Sequence, residues 1–403
     1  MERVYKNSTE VANLHGIPIY MNDVADACLL GRLNLFLQGD TGFGKTQLGE
    51  DLRGYFGDKS LFVLGRNDMD TRELFQQINP EFLRALRKGN GSKATKIKSL
   101  TDKIDYHMIM VDELPNCVPA VRAQLFNLFD GYIEIDGVPY PIGKGYSVGI
   151  ATGNIGQKFT ESSNELGRAL RDRMHVIVDT DYFTPTPSDT LDILAGNQNP
   201  RVELAGRKED HSMTIIEKHK RLAESEVPID KIIIANYLIH GLDHCSKGSK
   251  RRMKDGWPTQ LENREQGGDA GLVLPVSIRS AKSIIRLSQA LDQIALEKGA
   301  SPEVVHSNQG VFDSMIQAYR LVSTYSGVLN EADVRGKFDN NHYKAIDSII
   351  TTTRSQFEQQ KNNIAAGLAM VESGKSNQKV LNLFTKRWGF MRDTLEGLLK
   401  NNQ

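Results

Sequence analysis

The chain has 403 residues, 39% of them hydrophobic, with 50 Lys+Arg set against 50 Asp+Glu. That length suits two or three domains with separate cores, and the balanced charge excludes the overall basic excess of proteins that bind nucleic acid or anionic membranes non-specifically. Cys28, Cys117 and Cys245 are an odd, scattered set that fits neither a disulfide framework nor a zinc site, so they read as buried or idle thiols. Residues 1–10 are charged and polar without an apolar leader, and no apolar run reaches the roughly eighteen residues of a membrane span. The expected location is the cytoplasm.

In chain order, short runs rich in β-formers at residues 33–38, 61–64, 106–111, 147–152 and 175–178 alternate with helical stretches. That alternation predicts βα units around a buried parallel sheet, here of five strands. The first run leads directly into Gly39, Asp40, Thr41, Gly42, Phe43, Gly44, Lys45 and Thr46, which match the phosphate-binding P-loop pattern in full. The glycines turn backbone N–H groups toward phosphates, the following helix adds its N-terminal dipole, Lys45 reaches the β and γ phosphates, and Thr46 supplies a hydroxyl to Mg2+. Gln47, next in line, completes the expected nucleotide-binding set.

The run at 106–111 ends in Asp112 and Glu113, two carboxylates at the C-terminal end of a buried strand, where open α/β sheets bind ligands. Asp112 is expected to hold Mg2+ and Glu113 to orient and polarise an attacking water. The run at 147–152 leads to Asn154, whose amide is placed to hydrogen-bond a γ-phosphate or that water. An alternation at Tyr132, Ile133, Glu134 and Ile135, then Asp136-Gly137, predicts a β-hairpin over 132–142.

Beyond Pro185 the pattern becomes helical. Ile278, Ala281, Ile284, Leu287, Leu291 and Ile294 share one face; Ile346, Ile350, Thr353, Phe357, Ile364, Leu368 and Val371 share another; Val380, Phe384, Trp388, Met391, Leu395 and Leu398 share a third. The last two stripes flank a turn at 372–376, which predicts a helical hairpin. Residues 84–98 and 247–254 are basic, with Gly and Ser and no acidic residue, and read as surface loops. His240 and His244 beside Cys245 have a spacing able to ligate a metal, but without a further ligand an ordinary helical histidine pair is the better reading.

The order of P-loop, Asp-Glu strand, Asn154, arginines at 168–173 and an arginine opening a late helix resembles the AAA+ ATPases. With the hairpin at 132–142, it is similar to the MoxR-type branch and its NirQ/CbbQ and gas-vesicle GvpN relatives. The resemblance implies ATP and Mg2+ as cofactors and a homo-oligomeric, hexameric ring. Arg173 is then the finger acting on the next subunit's ATP, with Arg168 and Arg171 as rivals, and Arg279 the second sensor at the start of a lid helix. Residues 1–183 are then the AAA+ domain and 184–300 a helical lid, while a basic and polar insertion at 243–272 and a helical extension over 301–403 depart from the branch. Relatives in the branch remodel protein clients, often with a von Willebrand A-type partner. A nucleic-acid motor using the basic loops, or a nucleotide-gated scaffold, is the alternative.

Overall fold

The structure is a computed structural model and describes residues 3–66, 76–78, 98–135, 137–154, 171–196, 210–244, 257, 269 and 271–401. The expected basic stretches at 84–97 and 247–254, together with Arg168 and Cys245, lie outside the described residues. The chain groups into two units, one of residues 1–12 and 18–224, the other of residues 13–17 and 225–403.

The first unit is built on a five-stranded parallel sheet. Its strands are β3 (Leu35–Gln38), β4 (Ser60–Leu64), β7 (Met108–Asp112), β10 (Val148–Gly153) and β11 (Val176–Asp179), in the spatial order β11-β3-β10-β7-β4. Every predicted strand is present, each shifted by a residue or two. Every residue of β3, β7 and β10 is buried, as expected of strands covered on both faces. The edge strand β4 exposes Phe62 and Leu64. Burying each of Leu35, Phe36 and Leu37 contributes about 1.5–3 kcal/mol, so the strand that carries the P-loop is also well anchored.

The described residues also form three short antiparallel pairs: β1 (Glu10–Leu14) with β2 (Ile17–Tyr20), β5 (Gln76–Ile78) with β6 (Lys98–Leu100), and β8 (Tyr132–Ile135) with β9 (Val138–Pro141). The third is the predicted hairpin, in register Tyr132↔Pro141 to Ile135↔Val138, with Gly137 at φ 78° in its turn. The first two were not foreseen. Helices α1 (Met21–Gly31), α2 (Lys45–Gly54) and α3 (Pro119–Phe129) serve the sheet, α3 leading directly into β8.

Helices α4 (Pro187–Ala195) and α5 (Ser212–Glu224) group with this unit by contact, although the sequence suggested a lid from residue 184. α5 lies against α1, and His219 Nδ1 donates to Leu30 O over 2.8 Å. Asp210 accepts from both Ser212 N and Ser212 Oγ just ahead of α5 and pairs with Lys59; these bonds hold its carboxyl down at about 2.

The second unit is helical: α6 (Ile229–Asn236), α7 (Ile278–Glu297), α8 (Asn308–Ser323), α9 (Glu331–Lys337), α10 (His342–Glu372) and α11 (Phe390–Asn401). Four of them start at side-chain caps, where Ser277 Oγ accepts from Ser280 N, Ser307 Oγ from Gly310 N, Asn330 Oδ1 from Ala332 N and Asn341 Oδ1 from Lys344 N. Each such cap stabilises its helix by about 1 kcal/mol. The predicted face of α7 is buried against α8 except for Ile278, which lies in the first turn and is 67% exposed. Of the α10 stripe, Ile346, Thr353 and Val371 are buried, and Ile350, Phe357, Ile364 and Leu368 half-buried.

The segment after α10 is not one continuous helix. It breaks into a turn at Gln378–Leu381, a 3-10 turn at Lys386–Trp388 entered through the left-handed Lys386 (φ 52°), and then α11. Phe384, Trp388, Met391 and Leu395 are nevertheless buried, and α11 returns along α10. The two helices meet closely at Gly367, where a Cβ would stand 2.8 Å from Leu395 Cδ1.

Below Trp388, Arg387 is buried and doubly bonded to Asp269. Its Nη1 donates to Asp269 Oδ2 (2.7 Å) and to the Tyr237 hydroxyl (3.0 Å), and its Nη2 to Asp269 Oδ1 (3.0 Å). Burial pushes the Tyr237 phenol up to about 12, which keeps it neutral and able to accept from the guanidinium. A second buried cation, Lys231, donates to Ser288 Oγ and Asp292 Oδ2, and Asp292 also meets His15 Nε2.

Candidate functional site

The candidate site forms where β3, β7 and β10 end together. Because β10 lies between β3 and β7, the P-loop and the Asp-Glu pair reach it from non-adjacent strands, while Asn154 follows the strand between them. The backbone of the P-loop needs its glycines: Gly39, Gly42 and Gly44 have φ of 140°, 93° and 75°, and α2 starts at Lys45 immediately after. Of the other predicted loop residues, Thr41 N donates to Asp40 Oδ1 (2.7 Å), and Phe43 is only partly exposed. Gln47 turns away along α2 and donates to Asp51 Oδ1 (2.7 Å).

Lys45 Nζ donates to the loop's own carbonyls, Gly39 O at 2.9 Å and Asp40 O at 2.5 Å. Burial lowers this ammonium's affinity for its proton, while Glu113, Asp181, Asp40 and Asp112 all act to raise it. Four carboxylates thus act on the charge of one lysine whose direct partners are backbone carbonyls.

Thr46 Oγ1 donates to Asp112 Oδ1 over 2.9 Å, and Thr152 Oγ1 donates to the same oxygen over 2.5 Å. Asp112 is buried at 6% exposure. Glu113 follows in a left-handed conformation (φ 57°), an uncommon state for a residue with a Cβ, and its N–H donates to Thr152 Oγ1 over 3.2 Å. The turn is also closed from outside, because Gly65 approaches so near that a Cβ there would stand 2.4 Å from Glu113 O. Burial raises the Glu113 carboxyl, the Asp112 charge adds to this, and Lys45 opposes both.

Asn154 is half-buried at the end of β10, and its Oδ1 is a buried acceptor without a hydrogen-bond partner among the described residues. A buried polar atom left so costs about 1–3 kcal/mol, and such atoms concentrate where a ligand or water completes the site. The donor set fits Mg2+: a threonine hydroxyl and a carboxylate are hard oxygen ligands of the kind that cation takes.

Arg173 is not at this site. Its carbonyl accepts from Asn34 Nδ2 (2.9 Å), its Nε donates to Asp130 Oδ2 (2.9 Å), and its guanidinium lies over the Phe126 ring. Asn34 precedes β3 and Gly39 follows it, so Arg173 sits at the opposite end of the strand, roughly 16 Å from the P-loop at about 3.3 Å per residue. One arginine side chain does not cover that distance. Arg171 is half-buried two residues earlier. Arg279 lies in the first turn of α7, in the second unit. His240 stacks on Phe390 and His244 is buried, and no group of three or more metal-ligating side chains occurs among the described residues.

Two residues of the site went unread in the sequence. Thr152 ties Asp112 to the Glu113 turn; a hydroxyl closing an otherwise apolar strand was the available signal. Asp181, which accepts the Asp40 N–H at 2.7 Å, left none, because only the pairing of β11 with β3 brings it there.

Residues 34–174 match the AAA domain of the dynein-related subfamily. The chain is thus similar to an AAA domain over the stretch that holds β3, the P-loop, β7, the β8–β9 hairpin and β10. Among solved structures it is similar to a candidate ATPase from Cytophaga hutchinsonii, at 17% identity and TM-score 0.55, covering 83% of this chain and 88% of that one. It is also similar to a full-length MCM homologue from Methanopyrus kandleri, at 13% identity and TM-score 0.45, covering 76% of this chain and 55% of that one. At such identities the first likeness speaks for the fold alone. No curated protein matches the sequence.

Proposed function

We propose that the chain hydrolyses ATP with Mg2+ at the ends of β3, β7 and β10, in an assembly whose neighbouring subunits complete one another's sites. The observation that carries this reading is the 2.9 Å bond between Thr46 Oγ1 and Asp112 Oδ1, which joins the P-loop hydroxyl to the Asp-Glu strand. In this reading the P-loop amides and Lys45 hold the phosphates, and Thr46 and Asp112 hold Mg2+, whose charge offsets that developing on the transferred phosphoryl group. Glu113 orients the attacking water, and the Asn154 amide hydrogen-bonds that water through Oδ1 or the γ-phosphate through Nδ2. Phosphoryl transfer rests mainly on such positioning and electrostatics.

AAA+ proteins commonly form rings. The placement of Arg173 favours a finger that acts in trans, since its own P-loop lies at the other end of β3. Arg279 is assigned the sensor role at the head of a lid helix within 184–300, and residues 301–403 the role of a helical extension. The work done is remodelling of a protein client in the cytoplasm by a hexameric ring, with a separate partner protein such as a von Willebrand A-type domain.

The test is equilibrium binding of Mg-ATP together with phosphate release by the full chain. Wild type is expected to bind and turn over, and Lys45→Ala to lose at least tenfold in affinity with loss of the charge-assisted phosphate contact. Equal binding by the two proteins would remove the P-loop assignment.

A further inference from the structure

The start of the P-loop is held by groups for which the proposed chemistry has no use. Asp179 pairs in register with Gln38, so β11 and β3 end side by side, and Thr180 and Asp181 pass over Gly39 and Asp40. Thr180 N and Oγ1 both donate to Gln38 O, at 2.8 and 3.0 Å. A Cβ on Gly39 would stand 2.3 Å from Thr180 Oγ1 and 2.8 Å from Asp181 Oδ1, so only glycine fits beneath this crossing.

Asp181 Oδ1 accepts the Asp40 N–H at 2.7 Å. That N–H and the Gly39 carbonyl belong to one trans peptide unit, and Lys45 Nζ donates to the carbonyl at 2.9 Å. One peptide is therefore gripped at both ends, by a carboxylate on its N–H and an ammonium on its C=O. Bonds in such a chain polarise one another, so the carboxylate makes Gly39 O a better acceptor for Lys45. A phosphate drawn to Lys45 competes with Gly39 O and Asp40 O for the same ammonium. The negative charge of Asp181 opposes a polyphosphate in the same direction.

We propose that Asp181 is a positioning residue that holds Lys45 back through the Gly39–Asp40 peptide, weakening nucleotide binding and speeding departure of the diphosphate. This rests on the P-loop reading above. A purely structural support would have the opposite sign, since removing a brace from a phosphate loop loosens binding.

The experiment is titration calorimetry of Mg-ADP into the full chain, with a stopped-flow chase for its release, on wild type, Asp181→Asn, Asp181→Glu and Lys45→Ala. Asp181→Asn, which keeps an acceptor oxygen but loses the charge, is expected to tighten Mg-ADP about three- to fivefold and slow its release correspondingly, a modest change because the bond is exposed. Asp181→Glu, which keeps the charge, is expected within about twofold of wild type. If Asp181→Asn fails to fold, Asp181→Ser carries the same expected sign. Unchanged or weaker binding in the charge-removing variant overturns the proposal. Wild type that binds no Mg-ADP, or that binds it no better than Lys45→Ala, overturns the P-loop reading and this one with it; normal wild-type and Lys45→Ala behaviour without tightening overturns only this one.

Discussion

Glu113→Gln is expected to bind Mg-ATP as well as wild type while losing about a hundred- to a thousandfold in phosphate release, the scale of removing a positioned acid–base group. The amide keeps the shape of the side chain and its left-handed turn, held by Thr152 and closed by Gly65, so the loss would belong to the carboxylate. The pH profile gives an independent reading. Burial and Asp112 raise the Glu113 carboxyl above its ordinary range, and the carboxylate is the working form. Turnover in wild type should therefore fall, on acidification, at a pH above the ordinary glutamate value of about 4.3. Single-turnover phosphate release across pH measures it, and an acid limb at or below that value would contradict the assigned environment.

Arg387→Ala is expected to destabilise the helical unit by about 3–5 kcal/mol, the cost of leaving one member of a buried ion pair uncompensated. Asp269 is 2% exposed and Arg387 8%, so little solvent reaches the carboxylate to replace the guanidinium. The Tyr237 hydroxyl would lose its donor at the same time. Replacing both charged partners with apolar residues of similar size should recover much of the loss, because the penalty lies in the orphaned charge rather than in absence of the pair. Chemical denaturation of the single and double variants measures both values; a loss below about 1 kcal/mol in Arg387→Ala would show that the pair is solvated.

The parallel strands were legible because each is a short apolar run next to a motif of fixed chemistry. Their spatial order was not, since β3 pairs with β10 and β11, more than a hundred residues away, and no local pattern records such pairings. The hairpin β8–β9 was legible from its alternation and its Asp-Gly turn. Its counterpart β1–β2 was hidden because His15 and Gly16, both at positive φ, carry the turn in place of the Asn-Gly or Asp-Gly pair that marks a hairpin in sequence. The stripe at 380–398 gave the buried residues correctly but not the break in the helix, because helical spacing survives a short 3-10 turn.

Within the site, the motifs named Lys45, Thr46, Asp112 and Glu113, and the structure brings them together. Asp181 could not be read because its role depends on register across strands. The P-loop pattern likewise says which lysine faces phosphate but not what competes for it.

The trans assignment of Arg173 is the central claim, and complementation between two disabled proteins tests it most directly. Lys45→Ala and Arg173→Ala would each be measured alone and then mixed in equal amounts under Mg-ATP, with phosphate release as the readout. Each is expected to be nearly inactive alone, and the mixture to regain turnover wherever an intact P-loop meets an intact finger on its neighbour. A mixture no more active than its components, under conditions where light scattering shows that they co-assemble, would contradict it.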